Sequence, residues 1–134
     1  MRNLILTPKI ETHKLINQKL CGTPVFCEND KACVKLELTD EMAADEKGLI
    51  HGGFIFGLAD YAAMLCVNHP LVVLSQSSSK FLKPLKTRQT AVANAEIIKK
   101  ENNKIFVNVN VYCEEILVFK GEFTTIIPKK HVLE

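Results

Sequence analysis

The 134-residue sequence has no tryptophan, and its aromatic content is confined to seven Phe and two Tyr. No basic run is interleaved with aromatics and the net charge is only +2, so a nucleic-acid partner is not expected. No long hydrophobic run is present either: the longest, residues 54–67, is interrupted by Asp60 and is too short to span a bilayer. The opening Met1-Arg2-Asn3-Leu4 has neither a long apolar signal core nor a small-residue cleavage site, so a cytoplasmic location is expected. Five cysteines form no Cys-x-x-Cys pair, and the six-residue steps between Cys21, Cys27 and Cys33 are not a zinc spacing. They read as free thiols in a reducing compartment. His13, His69 and His131 stand apart from other ligand-type residues, so no metal and no resident cofactor are expected.

What is present describes one globular domain over residues 1–134, with 47% hydrophobic and 24% charged residues and enough length for a real core. Residues 12–20 read as a short amphipathic helix with Leu15, Ile16 and Leu20 at helical spacing. Two strands, 23–28 and 32–38, flank the polar turn Asn29-Asp30-Lys31. In the second, Cys33, Lys35 and Glu37 alternate with Ala32, Val34, Leu36 and Leu38, which makes one face wet. Residues 39–49 form a charged, irregular loop, and Asn68-His69-Pro70 ends the apolar segment that follows. Four more strands are expected at 72–82, 89–99, 104–112 and 116–127. The third of these alternates Ile105, Val107, Val109 and Val111 with Phe106, Asn108, Asn110 and Tyr112. Six strands with one long apolar helix predict an α+β fold, a curved antiparallel sheet wrapped around that helix.

The most informative stretch is His51-Gly52-Gly53, which runs into an Ala-, Leu-, Phe- and Met-rich helix carrying a single carboxylate. On a helix Asp60 has Phe56 and Met64 at i±4 and Gly57 and Ala63 at i±3, all apolar or small. A carboxylate in such a stripe is costly unless it is paired or has a task. An exposed seam or a structural role would also accommodate Asp60, and the glycines would also suit a tight loop. The combination, however, puts complementary chemistry at two points of one element. A helix N-terminus offers unsatisfied N–H groups and partial positive charge, and glycine lets a substrate approach the backbone. That end suits a carbonyl oxygen or oxyanion.

Gly52 and Asp60 are eight residues apart, roughly 12 Å along a helix at 1.5 Å per residue. A base or nucleophile must come within about 3 Å of its target. A single chain cannot bring both groups to one carbonyl carbon, whereas two antiparallel copies of the helix can. The expected site is therefore shared across a homodimer, which would also cover long edge strands; a tetramer is compatible.

This run resembles the hot-dog fold thioesterases of the phenylacetate-degradation type, whose helix opens with His-Gly-Gly and carries an acid in a Leu-Ala-Asp triplet. Gly48 stands three residues before His51, matching the Gly-x-x-His-Gly-Gly pattern, and Phe81-Leu82-Lys83-Pro84 resembles that family's strand end. The likeness runs from about residue 12 to 128. It implies hydrolysis of an acyl-CoA thioester, with coenzyme A entering as part of the substrate. By that likeness Gly52 N–H polarises the carbonyl, Asp60 acts as nucleophile or general base, and His51 holds the loop or contacts the thioester. Gly53 and Gly48 belong to the same substrate-approach loop.

One departure concerns Asp45, six residues before His51, where the family has Asn. An ionised acid accepts hydrogen bonds but donates none. It would repel a nucleophile, raise the pKa of Asp60, act as base itself, or turn to solvent beside Glu46 and Lys47. On the strand before Phe-Leu-Lys-Pro, the family's usual Ser/Thr falls on Leu74, and Gln76 and Ser78 share its parity as candidate lining residues. Lys80 and Lys83, with Lys86 and Arg88, form a basic group suited to coenzyme A phosphates. The rival reading is a non-catalytic acyl-CoA-binding or sensing domain, favoured by Asp45 and opposed by Asp60. Hydration chemistry on an enoyl thioester, using His51 with an acid across the dimer, fits less well.

Overall fold

The computed structural model describes residues 9–134. Two hairpin strands, β1 (Thr23–Glu28) and β2 (Lys31–Glu37), precede the long helix α2 (Gly52–Val67). Four strands follow: β3 (Val73–Phe81), β4 (Thr90–Glu101), β5 (Lys104–Cys113) and β6 (Ile116–Ile126). All pairings are antiparallel, in the order β1-β2-β4-β5-β6-β3. This is the curved antiparallel sheet on one apolar helix that the sequence predicts, the hot-dog fold of the family it resembles, with β1 and β3 as the outermost strands among the described residues.

Period-two alternation decides which side of the sheet meets α2. Ala32, Val34 and Leu36 of β2, Val107, Val109 and Val111 of β5, and Phe119 and Phe123 of β6 are buried on that side. The strand between β2 and β5 contributes buried Ala91, Ala93 and Ala95, followed by the partly buried Ile97. Small side chains at the centre, with larger ones to either side, leave a trough in which the helix lies against β2, β4 and β5. Because α2 is apolar nearly all round, it is stable only inside such a trough. Leu58, Ala59, Ala62, Ala63 and Leu65 are fully buried there. The helix stops at Asn68, which takes a left-handed conformation (φ 51°) and donates its N–H to Met64 O at 2.8 Å.

One expected element is much shorter than its periodicity suggests. The helix over 12–20 is reduced to a single turn, α1 (Gln18–Cys21). His13 adopts φ 51°, which breaks helical continuity, and Asn17 starts the turn afresh by accepting the Lys19 N–H on Oδ1 at 2.9 Å. Ile16 and Leu20 still pack on the core, but Leu15 is fully exposed. The segment before it is tied to the far end of α2: Asn68 Oδ1 accepts the Glu11 N–H and its Nδ2 donates to Lys9 O. On β2, Lys35 and Glu37 face solvent as expected, whereas Cys33 is covered.

Candidate functional site

The loop before α2 is built to deliver His51. Asp45 Oδ1 accepts the N–H groups of Lys47 (3.0 Å) and Leu49 (3.1 Å), folding the loop back on itself. Gly48 takes φ 83°, and a Cβ there would lie 2.9 Å from Thr87 Oγ1, so glycine is required for both conformation and space. Thr87 N–H to Gly48 O, Ile50 N–H to Leu85 O and His51 N–H to Met42 O then fix the path of the chain. His51 is the extended residue that precedes the helix, and its side chain does not cap. The exposed ring instead lies over Gly53, 3.1 Å from where a Cβ would be, edge-on to Phe54. With no side-chain cap, the first-turn N–H groups at Gly52 and Gly53 remain open to a ligand.

Beside this helix end lies a cavity of about 330 Å³, lined by Gly52, Ile55, Phe81, Leu82, Lys83 and Leu85 among others. Phe81 packs its ring against Gly52, 3.3 Å from where a Cβ would stand, and edge-on against Phe119. The Phe-Leu-Lys-Pro segment and the His-Gly-Gly turn, separate in sequence, thus meet at one mouth.

Asp60 lies two turns further on. It is half-buried, and its Oδ1 is fully buried without a hydrogen-bond partner among the described residues. Burial pushes its carboxyl from an ordinary 3.8 up to about 6, since an unpaired charge is poorly solvated there. One turn earlier on the helix, the Phe56 ring meets the Phe123 ring at 5.5 Å, tilted by 40°. The Cys21 thiol is raised first by burial and then by the Asp60 charge, so it sits nearby. Asp60 does not line the cavity beside Gly52.

The structure groups Gly48, His51, Gly52, Gly53 and Lys83 around the helix start and leaves other candidates elsewhere. Asp45 is exposed and spends Oδ1 on its own loop. Arg88 is drawn from the basic group by an ion pair with Asp40 at 3.1 Å. Gln76, Ser78 and Lys80 lie on the outer face of the sheet, opposite Thr124, Glu122 and Lys120. A β-bulge between Leu74 and Gln76 is the cause: one extra residue reverses the parity of all that follows. Ser75 sits in that bulge and donates to Thr124 O. Ser77 and Ser79 therefore point to the helix side, opposite Phe123 and Gly121, with their hydroxyls 2.7 Å apart. Sequence reading sees both only as part of the serine cluster Ser75, Ser77, Ser78 and Ser79 and prefers Gln76 and Ser78 by parity, because a bulge leaves no mark in a run of similar polar residues.

Against known proteins, the sequence profile of the Thioesterase superfamily matches residues 47–120, from the loop before α2 into β6. An uncharacterized protein from Pyrococcus horikoshii is 49% identical, with a TM-score of 0.93 over 94% of this chain and 97% of that one. A methylthioribose-1-phosphate isomerase from Aquifex aeolicus is 47% identical over 117 residues, 87% of this chain but 26% of the isomerase. The transcription factor FapR from Caldanaerobacter subterraneus is 25% identical over 94% of this chain and 62% of its own length. The chain thus spans about a quarter of the first of these curated relatives and under two thirds of the second. A mutant form of the phenylacetic acid degradation protein PaaI from Thermus thermophilus is more distant, with 25% identity and a TM-score of 0.75 over 81% of this chain.

Proposed function

The chain belongs to the thioesterase superfamily, and from that premise we propose that it hydrolyses acyl-CoA thioesters at a site shared by two copies of itself. The observation that carries this reading is the half-buried Asp60 carboxylate, whose buried Oδ1 has no hydrogen-bond partner among the described residues, on a helix whose other end presents open N–H groups. Gly52 N–H of one protomer donates to the thioester oxygen, and the partner's Asp60 faces the carbonyl carbon. As general base, Asp60 takes a proton from water, and the hydroxide adds to the carbonyl. The tetrahedral intermediate then expels coenzyme A as the thiolate, which is reprotonated, leaving the free acid. As nucleophile, it adds to the carbonyl and displaces coenzyme A as the thiolate, forming an acyl–aspartyl anhydride that water opens in a second step to the free acid and Asp60. A carboxyl titrating near 6 serves either role at neutral pH, where it is ionised.

His51 holds the turn that aims Gly52 and Gly53, and Lys83 at the cavity rim receives coenzyme A phosphate. Asp45 acts on the loop, since its Oδ1 is already committed to two backbone N–H groups. The finer reading, a site of the phenylacetate-degradation type, rests on Gly48, His51-Gly52-Gly53, Asp60 and Phe81-Leu82-Lys83-Pro84 standing in that order. The likeness to a transcription factor favours a second reading, in which the same groove binds an acyl-CoA without cleaving it.

Thiol release from short, medium, long and aromatic acyl-CoAs, measured for the native protein and Asp60→Asn, separates the two. Turnover that collapses in the variant supports hydrolysis. Saturable binding without turnover supports the sensor, and equal turnover in both proteins removes Asp60 from the mechanism.

A further inference from the structure

The helix-facing side of the sheet is apolar almost everywhere, and its few hydroxyls are informative. Thr125 is fully buried there, but its hydroxyl is spent on Ile105 O at 2.9 Å, a structural bond within the sheet. Ser75 is likewise spent on Thr124 O. Ser77 and Ser79 differ. Both are half-buried on the same side as Phe119 and Phe123, and among the described residues each has only the other as side-chain partner. Two hydroxyls that share one hydrogen bond keep one O–H and several lone pairs unmatched. In an apolar setting that arrangement is less favourable than alanine or valine, which would also suit a strand better.

A glycine at the facing position lets the pair and a phenyl ring approach closely. Opposite Ser79 stands Gly121, where a Cβ would come 3.0 Å from the Ser79 hydroxyl and 2.8 Å from the Phe123 ring. Two residues along β3 from Ser79, Phe81 touches Gly52; opposite Ser77, Phe123 stacks on Phe56 of the same helix. The pair therefore runs beside the first turns of α2, starting from the end that would polarise the thioester. Two residues of strand cover about 7 Å, which places these hydroxyls a few bonds beyond a carbonyl held at Gly52.

Building on the thioesterase reading above, we infer that the Ser77–Ser79 hydroxyl pair is a specificity element that selects acyl groups bearing an oxygen, hydroxyl or keto, beyond the thioester carbonyl. The unmatched O–H donates to that oxygen, and an alkyl chain leaves it unsatisfied.

The test compares matched acyl-CoAs, butanoyl with 3-hydroxybutanoyl and hexanoyl with 3-hydroxyhexanoyl, on the native protein and on Ser77→Ala/Ser79→Ala. Thiol release gives kcat/KM, and calorimetry with the Asp60→Asn protein, with and without the serine changes, gives Kd for the same ligands. A single hydrogen bond of this kind predicts a preference of about tenfold for the oxygenated member in the native protein. In the double variant the ratio falls to near one. Should that variant prove unfolded by its melting curve, Ser77→Ala and Ser79→Ala are read singly, each expected to lower the ratio several-fold. An unchanged ratio overturns the proposal. So does an equal loss for both members of each pair, which would make the serines holders of the attacking water. If no acyl-CoA is cleaved but all are bound, the hydrolysis reading fails by itself and the Kd ratios decide on the serines; if none is bound, both readings fall.

Discussion

At the residue scale the chemistry and the stability of Asp60 pull in opposite directions. Its carboxyl is raised from 3.8 to about 6 by burial, so between those values the folded chain holds a proton that the unfolded chain has released. Stability contributed by this group is therefore greatest below pH 4, falls as pH rises toward 6, and above that is a standing cost of about 2 kcal/mol after allowing for partial solvation. Asp60→Asn should raise the melting temperature at pH 7.5, by several degrees at about 2 kcal/mol, with the advantage shrinking toward pH 4. A variant less stable than the native protein at pH 7.5 would mean that the carboxylate has a partner in solution. The same shift predicts the rate profile. An ionised Asp60 is needed, so kcat/KM should be half-maximal near pH 6 and about tenfold lower by pH 5. A rate flat from pH 5 to 8 would exclude it as base and nucleophile. For Asp45, the two bonds to Lys47 and Leu49 N–H groups need only an acceptor oxygen. Asp45→Asn should retain the native melting temperature and loop, whereas Asp45→Ala should lower both stability and turnover; an equal effect of the two would point to a role for the charge.

At the scale of elements, the tightest constraint sits where α1 turns into β1. Gly22 has φ 114°, and a Cβ there would lie 2.6 Å from Val34 Cγ1 and 3.0 Å from Leu58 on α2. Gly22→Ala should destabilise by about 2–4 kcal/mol, read as a drop of roughly 10 °C in thermal unfolding. A loss under 1 kcal/mol would show that α1 can slide off the helix cheaply. This position carries no signal in sequence beyond being a glycine between a helix and a strand. The long elements are different. Ile105, Val107, Val109 and Val111 alternate without interruption, and α2 is apolar from Phe54 to Val67 apart from Asp60, so burial alone selects their conformation. The carboxylate and the His-Gly-Gly start were legible for the same reason, since each breaks an otherwise uniform pattern. What was not legible depended on single backbone torsions. His13 at φ 51° shortens α1, and the bulge at Ser75 moves Ser77 and Ser79 to the helix side in place of Gln76 and Ser78. Both are local backbone choices that hydropathy does not encode.

At the scale of the whole molecule the two halves of the proposed site are kept apart. Gly52 opens one end of α2 beside β3, an edge strand whose end leaves Phe81 56% and Leu82 43% exposed. Asp60 lies about 12 Å along the helix. A long edge strand without a neighbour among the described residues and large exposed apolar side chains are unfavourable in a lone protomer, and a second copy would cover them. If two antiparallel copies complete the site, each catalytic centre takes Gly52 from one chain and Asp60 from the other. Gly52→Pro tests the first half, with a small shift of the half-exposed Phe81 ring, which lies 3.3 Å from where a Cβ would stand. Proline is tolerated at the first helical residue, the preceding His51 is already extended (φ −64°, ψ 129°), and the substitution deletes the N–H. Gly52→Pro and Asp60→Asn should each be inactive alone. Refolded together in equal amounts, half of the dimers are mixed, and each mixed dimer has one centre with both groups intact. The mixture should regain about a quarter of the native rate, a consequence of two-fold symmetry alone. Mass measurement that shows mixed dimers without regained turnover would place both groups in one protomer's site and rule out the shared centre.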